Sequence, residues 1–99
     1  MDAAGLIGFD ESVIRYRGTI GEWGTYKDID NLPYAGYYRM SGKGPTGSWP
    51  PSSYGVLLFL EGTGYAGQIA IISNSDEVST SVYSRVRINA TWFSWASLS

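Results

Sequence analysis

The feature that most constrains the fold is a pair of apolar runs separated by a glycine turn. Val56-Leu57-Leu58-Phe59-Leu60 is unbroken, and Ile69-Ala70-Ile71-Ile72 follows it. Between them stands Gly62-Thr63-Gly64, whose glycines supply the positive-φ positions of a tight hairpin. Residues 53–61 and 65–73 therefore read as antiparallel strands. A strand apolar on both faces is covered on both, which places 53–61 centrally in its sheet.

The flanking segments extend the same pattern. Residues 80–88 alternate cleanly, with Val82, Ser84, Val86 and Ile88 on one face and Ser81, Tyr83, Arg85 and Arg87 on the other. The apolar set is expected to face the core and the arginines to face away. Residues 12–20 form the first strand, with Ile14, Tyr16 and Ile20 opposite Val13, Arg15, Arg17 and Thr19. Arg39, in a short strand over 35–40, is likewise expected opposite the apolar positions. Pro33-Tyr34-Ala35-Gly36 launches that strand as a bend. Between the first two strands, Thr25 with Asp28 three residues on resembles a helix N-cap. Pro33 disfavours helix at Leu32, so one short helix is expected near residues 25–32, with Ile29 and Leu32 pointing inward. Asn74-Ser75-Asp76-Glu77 and Asn89-Ala90 read as turns, and the Gly/Pro-rich stretch 41–51 as an internal loop. The expected fold is mainly β: a meander of about five antiparallel strands with one short helix. It occupies residues 14–98 as one domain, after an N-terminal segment 1–13.

Composition then removes whole classes of function. The chain has 99 residues with no Cys and no His. Disulfide frameworks, thiol nucleophiles, zinc fingers and Ser-His-Asp triads are thereby excluded. Seven basic against nine acidic residues give a net charge of −2, which argues against binding nucleic acid through its phosphates. No stretch approaches the ~20 apolar residues of a membrane span. Met1-Asp2-Ala3 places an acid where a secretory leader carries basic residues, so no leader is expected. Only 16% of residues are charged, while 15% are aromatic, so uncharged polar and aromatic groups must cover much of the surface. Self-association is expected on that ground.

No side-chain constellation points to catalysis. Asp28 and Asp30, and Asp76 and Glu77, are the only close acidic pairs between the strands, and capping and turn solvation account for them. The chain is therefore expected to be no enzyme, with no catalytic residue, metal ligand or cofactor. Trp49 between the loop glycines and Pro50-Pro51 is the candidate exposed contact, with Lys43, Tyr54 and Tyr65 as further candidates for touching a ligand or partner. The competing reading for Trp49 folds it back over a sheet edge or a neighbouring subunit. Trp92, Phe93 and Trp95 read as an aromatic latch anchoring the C-terminal segment on the core, with sugar stacking the alternative.

Four segments carry a resemblance. Asp28-Ile29-Asp30-Asn31-Leu32-Pro33-Tyr34-Ala35-Gly36-Tyr37-Tyr38 resembles the opening motif of the pyocin-knob family of bacteriophage tail fibres and R-type pyocin fibres. Pro51-Ser52-Ser53-Tyr54-Gly55-Val56-Leu57-Leu58 is similar to its small-polar, aromatic-glycine strand, and Gly67-Gln68-Ile69-Ala70 to its return strand. Asn89-Ala90-Thr91-Trp92-Phe93-Ser94-Trp95-Ala96-Ser97-Leu98 resembles its tryptophan-bearing close. The likeness covers about residues 14–98, in the family's order and spacing. It departs in position, because the family's module usually sits within a long fibre and here Met1 lies a dozen residues ahead. A fragment and a small one-module virion protein both stay open. The resemblance implies a homotrimeric virion module, in a tail fibre, spike or capsid surface, with other virion proteins and a host-surface glycan as partners. It transfers no catalytic residue. A capsid decoration or collar protein without ligand binding is the alternative, and a polysaccharide-cleaving enzyme a more distant one.

Overall fold

A computed structural model describes residues 14–74 and 79–98. The fold is mainly β, as the sequence pattern implies. Five strands form the body of one mixed sheet: β1 (Tyr16–Ile20), β2 (Gly36–Ser41), β3 (Tyr54–Gly62), β4 (Tyr65–Ser73) and β5 (Thr80–Ile88). Two short strands, β6 (Thr91–Trp92) and β7 (Ala96–Ser97), both pair with the free edge of β5. From β2 to β5 every neighbour is antiparallel and consecutive, so this part is the expected meander. The β3–β4 hairpin closes through Gly62 and Tyr65, with Gly64 at φ 79°.

The first strand departs from the meander: β1 runs parallel to β2. A parallel pair cannot be joined by a tight turn, so the chain between them must cross the sheet. Residues 21–35 make that crossing and carry Ile29 and Leu32 under one face, where both are buried. The helix expected here shrinks to one 3-10 turn, Ile29–Asn31, capped by Asp28 rather than Thr25. Asp28 Oδ1 accepts the Asp30 N–H at 3.0 Å and Oδ2 accepts from the Asn31 amide at 2.8 Å. Thr25 instead donates its backbone N–H to Thr19, which draws it into the β1 turn and away from a capping position. In β1 a register irregularity between Tyr16 and Gly18 breaks the simple alternation, so Tyr16 is exposed while Ile20 is fully buried. Ser12 and Val13, the start of the expected strand, lie outside the described residues, as do the segment 1–13 and positions 75–77 of the expected turn.

Among the described residues, only one face of the sheet is covered. Its inward positions are Tyr38 and Met40, Leu57 and Phe59, then Ala66, Gln68, Ala70 and Ile72, all buried. Ile20, Ile29 and Leu32 close this core from the crossing segment. The strand β5 reverses the expected facing. Tyr83, Arg85 and Arg87 pair beside Ala70, Gln68 and Ala66 on the inner side, and Val82, Val86 and Ile88 lie on the outer one. The reason is electrostatic: Asp30 from the 3-10 turn sits beneath β5, and Arg85 reaches it at 2.7 Å.

Candidate functional site

A groove of about 880 Å³ lies at one end of the sheet, where β2 ends, β3 begins and β4 ends. Five stretches of chain build it, contributing among others Glu22, Lys43, Ser52, Tyr54, Asn74 and Tyr83. Its walls are tied together by two backbone bonds and one from a serine hydroxyl. Gly42 donates to Ser53 O at 2.9 Å, Trp23 to Ser41 O at 3.1 Å, and Ser52 Oγ to Ser73 O at 2.9 Å. Pro50 is buried and Pro51 follows it, which stiffens this wall. Lys27 Nζ donates to Glu22 O at 2.9 Å and to Gly24 O at 3.1 Å, holding the turn that presents Glu22. Asn74 is oriented by Ser79 and Ser81, at 2.9 and 3.0 Å. Ser53 Oγ is buried beside the groove without a hydrogen-bond partner.

The groove therefore offers two phenol rings, a carboxylate, an ammonium group and several neutral polar groups, mounted on a tied backbone. That set suits an uncharged, many-hydroxyl ligand whose C–H faces lie on aromatic rings.

Among the residues that the sequence singles out, Lys43 and Tyr54 reach this groove, and both are exposed. Tyr65 does not: it is exposed at the far end of β4, beside Gly62 and Ile88. Trp49 packs half-buried against the core, and its indole N–H donates to Thr46 O at 2.8 Å. It lies back on its own loop and does not line the groove. Glu22, Asn74 and Tyr83 carry no local signal in the sequence, because each enters the groove only through the fold.

The tryptophans near the C-terminus gather around Arg85. Arg85 is buried, with Nε donating to Gln68 Oε1 at 2.9 Å and Nη2 to Asp30 Oδ1 at 2.7 Å. The Trp92 and Trp95 rings lie 4.1 and 4.6 Å from its guanidinium. Trp92 also donates to Asp30 O at 2.9 Å, and Trp95 to Ser48 O at 2.8 Å. Gln68 completes the knot by donating to Ile29 O at 2.9 Å. Burial pulls the Arg85 guanidinium below its ordinary value, and the bond to Asp30 opposes that pull. Phe93 lies outside this knot with half its surface exposed. Asp28 and Asp30 are thus engaged in capping, loop and ion-pair contacts.

Compared with known proteins, the chain matches no family model, no curated sequence and no solved structure.

Proposed function

We propose that this chain is a non-catalytic adhesion module of a bacteriophage virion, a knob on a tail fibre or spike, that holds a host-surface saccharide in the groove. The groove carries the reading: it places Tyr54 and Tyr83 beside Glu22, Lys43 and Asn74 in a recess sized for a small ligand. The phenol faces accept pyranose C–H surfaces, and the surrounding polar groups satisfy hydroxyls. The virion setting rests on the four segments that resemble the pyocin-knob family. Each site is small and open, so binding one sugar is weak. Several copies on one particle raise the retention through effective concentration.

The test is binding of the full chain to immobilised bacterial surface polysaccharides, beside Tyr54→Ala and Lys43→Ala. Each variant should keep its melting temperature and lose about tenfold in affinity. Binding unchanged in both variants overturns the groove as the contact. A second reading is favoured by the outer face of the sheet, which no described residue covers and where Val56, Leu60 and Ile71 are exposed. In it the chain is a capsid decoration or collar protein whose apolar surface is buried against other chains. No retention on any polysaccharide, together with a stable complex with other virion chains, selects that reading.

A further inference from the structure

The uncovered face of the sheet has a definite pattern. The register aligns Arg39, Val56, Ile71 and Val82 in one outward row across four strands. The next outward rows are Tyr37, Leu58, Ile69 and Ser84, then Leu60, Gly67 and Val86. Val56 is 46% exposed, Leu60 43% and Ile71 51%. Tyr16 and Tyr37, 5.4 Å apart, border this field on one side, and exposed Tyr54 and Tyr65 stand at its two ends. Arg39 is the only charged side chain among the outward positions of β2 to β5.

We propose that this face packs against the same face of another copy of this chain. Three nine-residue strands and the six-residue β2, at about 4.8 Å spacing and about 3.3 Å per residue, make a face of about 500 Å². That is near the upper end of what monomers leave bare. Two such faces bury about 1,000 Å² together, the size at which a biological interface begins. An aliphatic centre rimmed by tyrosine and depleted of charge is the composition of an interface core. One arginine gives a charged partner almost nothing to pair with, whereas the face is complementary to itself. A net charge of −2 adds little repulsion between copies. A sheet covered on one side and aliphatic on the other is half of a sandwich, and a second sheet completes it.

Gly67 supplies an independent observation. It stands mid-strand on the outer face between Leu60 and Val86. A β-carbon there would meet nothing nearer than Arg85 O at 3.8 Å, and no positive φ requires glycine. Among the described residues nothing calls for the missing side chain. A glycine so placed leaves a notch for something that approaches from outside, and here the facing copy's aliphatic side chains fill it.

Sedimentation equilibrium of the full chain tests this, with Ile71→Lys and Gly67→Val beside the wild type. The wild type should exceed the single-chain mass of 10.8 kDa at about tens of micromolar, as a small, transient interface does. Ile71→Lys, with unchanged circular dichroism, should weaken association at least about tenfold. Gly67→Val should melt at the same or a higher temperature when dilute, because valine suits a strand, and should also associate about tenfold more weakly. A mass of two copies fits the proposal. A wild type that stays single at about 100 µM overturns it, as do variants that associate like the wild type.

Discussion

At position 85 an arginine lies where a sheet's inner face would ordinarily hold an aliphatic side chain. It joins β4 through Gln68, the 3-10 turn through Asp30, and the C-terminal segment through two indole faces. Removing it strands Asp30 and Gln68 without their partner. Arg85→Met should therefore destabilise by about 3 kcal/mol, the low end for a broken buried pair because Asp30 is partly exposed. Arg85→Lys should recover little of this, since a point charge cannot bond both partners in a fork and lie flat on the rings. Urea denaturation measures both, and a lysine variant equal to wild type would contradict the geometry. Tyr38 makes the pH-dependent contribution. Burial raises its pKa above the ordinary phenol value, and its hydroxyl donates to Tyr34 O. The folded chain thus keeps this proton after the unfolded chain has begun to release it. Its stabilising contribution is whole below about pH 10 and declines as the pH rises through the folded value. Tyr38→Phe should show a smaller loss of urea midpoint than the wild type between about pH 9.5 and 11. An equal loss in both proteins would exclude Tyr38 as the source.

At the scale of elements, the loop over 41–53 and the 3-10 turn act as one lid on the inner face. Ser48 donates its N–H to Asp30 Oδ1 at 3.1 Å, and Asp28 pairs with Thr46. Gly47 makes the close approach possible: its φ is 93°, and a β-carbon there would stand 2.8 Å from Asp28 Oδ1. Gly47→Ala should cost more than about 1 kcal/mol, through backbone strain and displacement of the capping carboxylate. A thermal melt within error of wild type would show that the lid yields freely. The same packing explains Trp49, a candidate exposed contact whose competing reading folds it back over the sheet. Its indole covers the core from within this lid, beside Gly44, whose added β-carbon would fall 2.7 Å from the ring. Nothing in Gly-Pro-rich composition distinguishes a loop that reaches outward from one that folds down. The difference lies in the bond from the indole to Thr46 and the surface beneath it.

Across the whole molecule, protection should follow the sheet order. Amides of β3 and β4, flanked on both sides, should exchange hydrogen most slowly, and those of β1, β6 and β7 at the margins fastest. Exchange mass spectrometry checks this, and uniform protection would contradict it. That central pair is also what the chain declares most openly. The two apolar runs and the Gly62-Thr63-Gly64 turn specify a hairpin locally, and the strict alternation over 80–88 specifies a third strand, so the mainly β class is legible from residues alone. The short helix near 25–32 is a single 3-10 turn, because capping by Asp28 and the stop at Pro33 leave room for no more. Two other matters lay beyond local pattern. Alternation with a period of two divides β5 into two faces and does not say which one is inside; Asp30, arriving from 55 residues away, draws Arg85 inward and turns Val82 and Val86 out. The groove beside Tyr54 is assembled from five stretches of chain, of which the sequence marks only Lys43 and Tyr54. Local chemistry decides where strands form, while the pairing of distant charges and the covering of one face decide how they are turned.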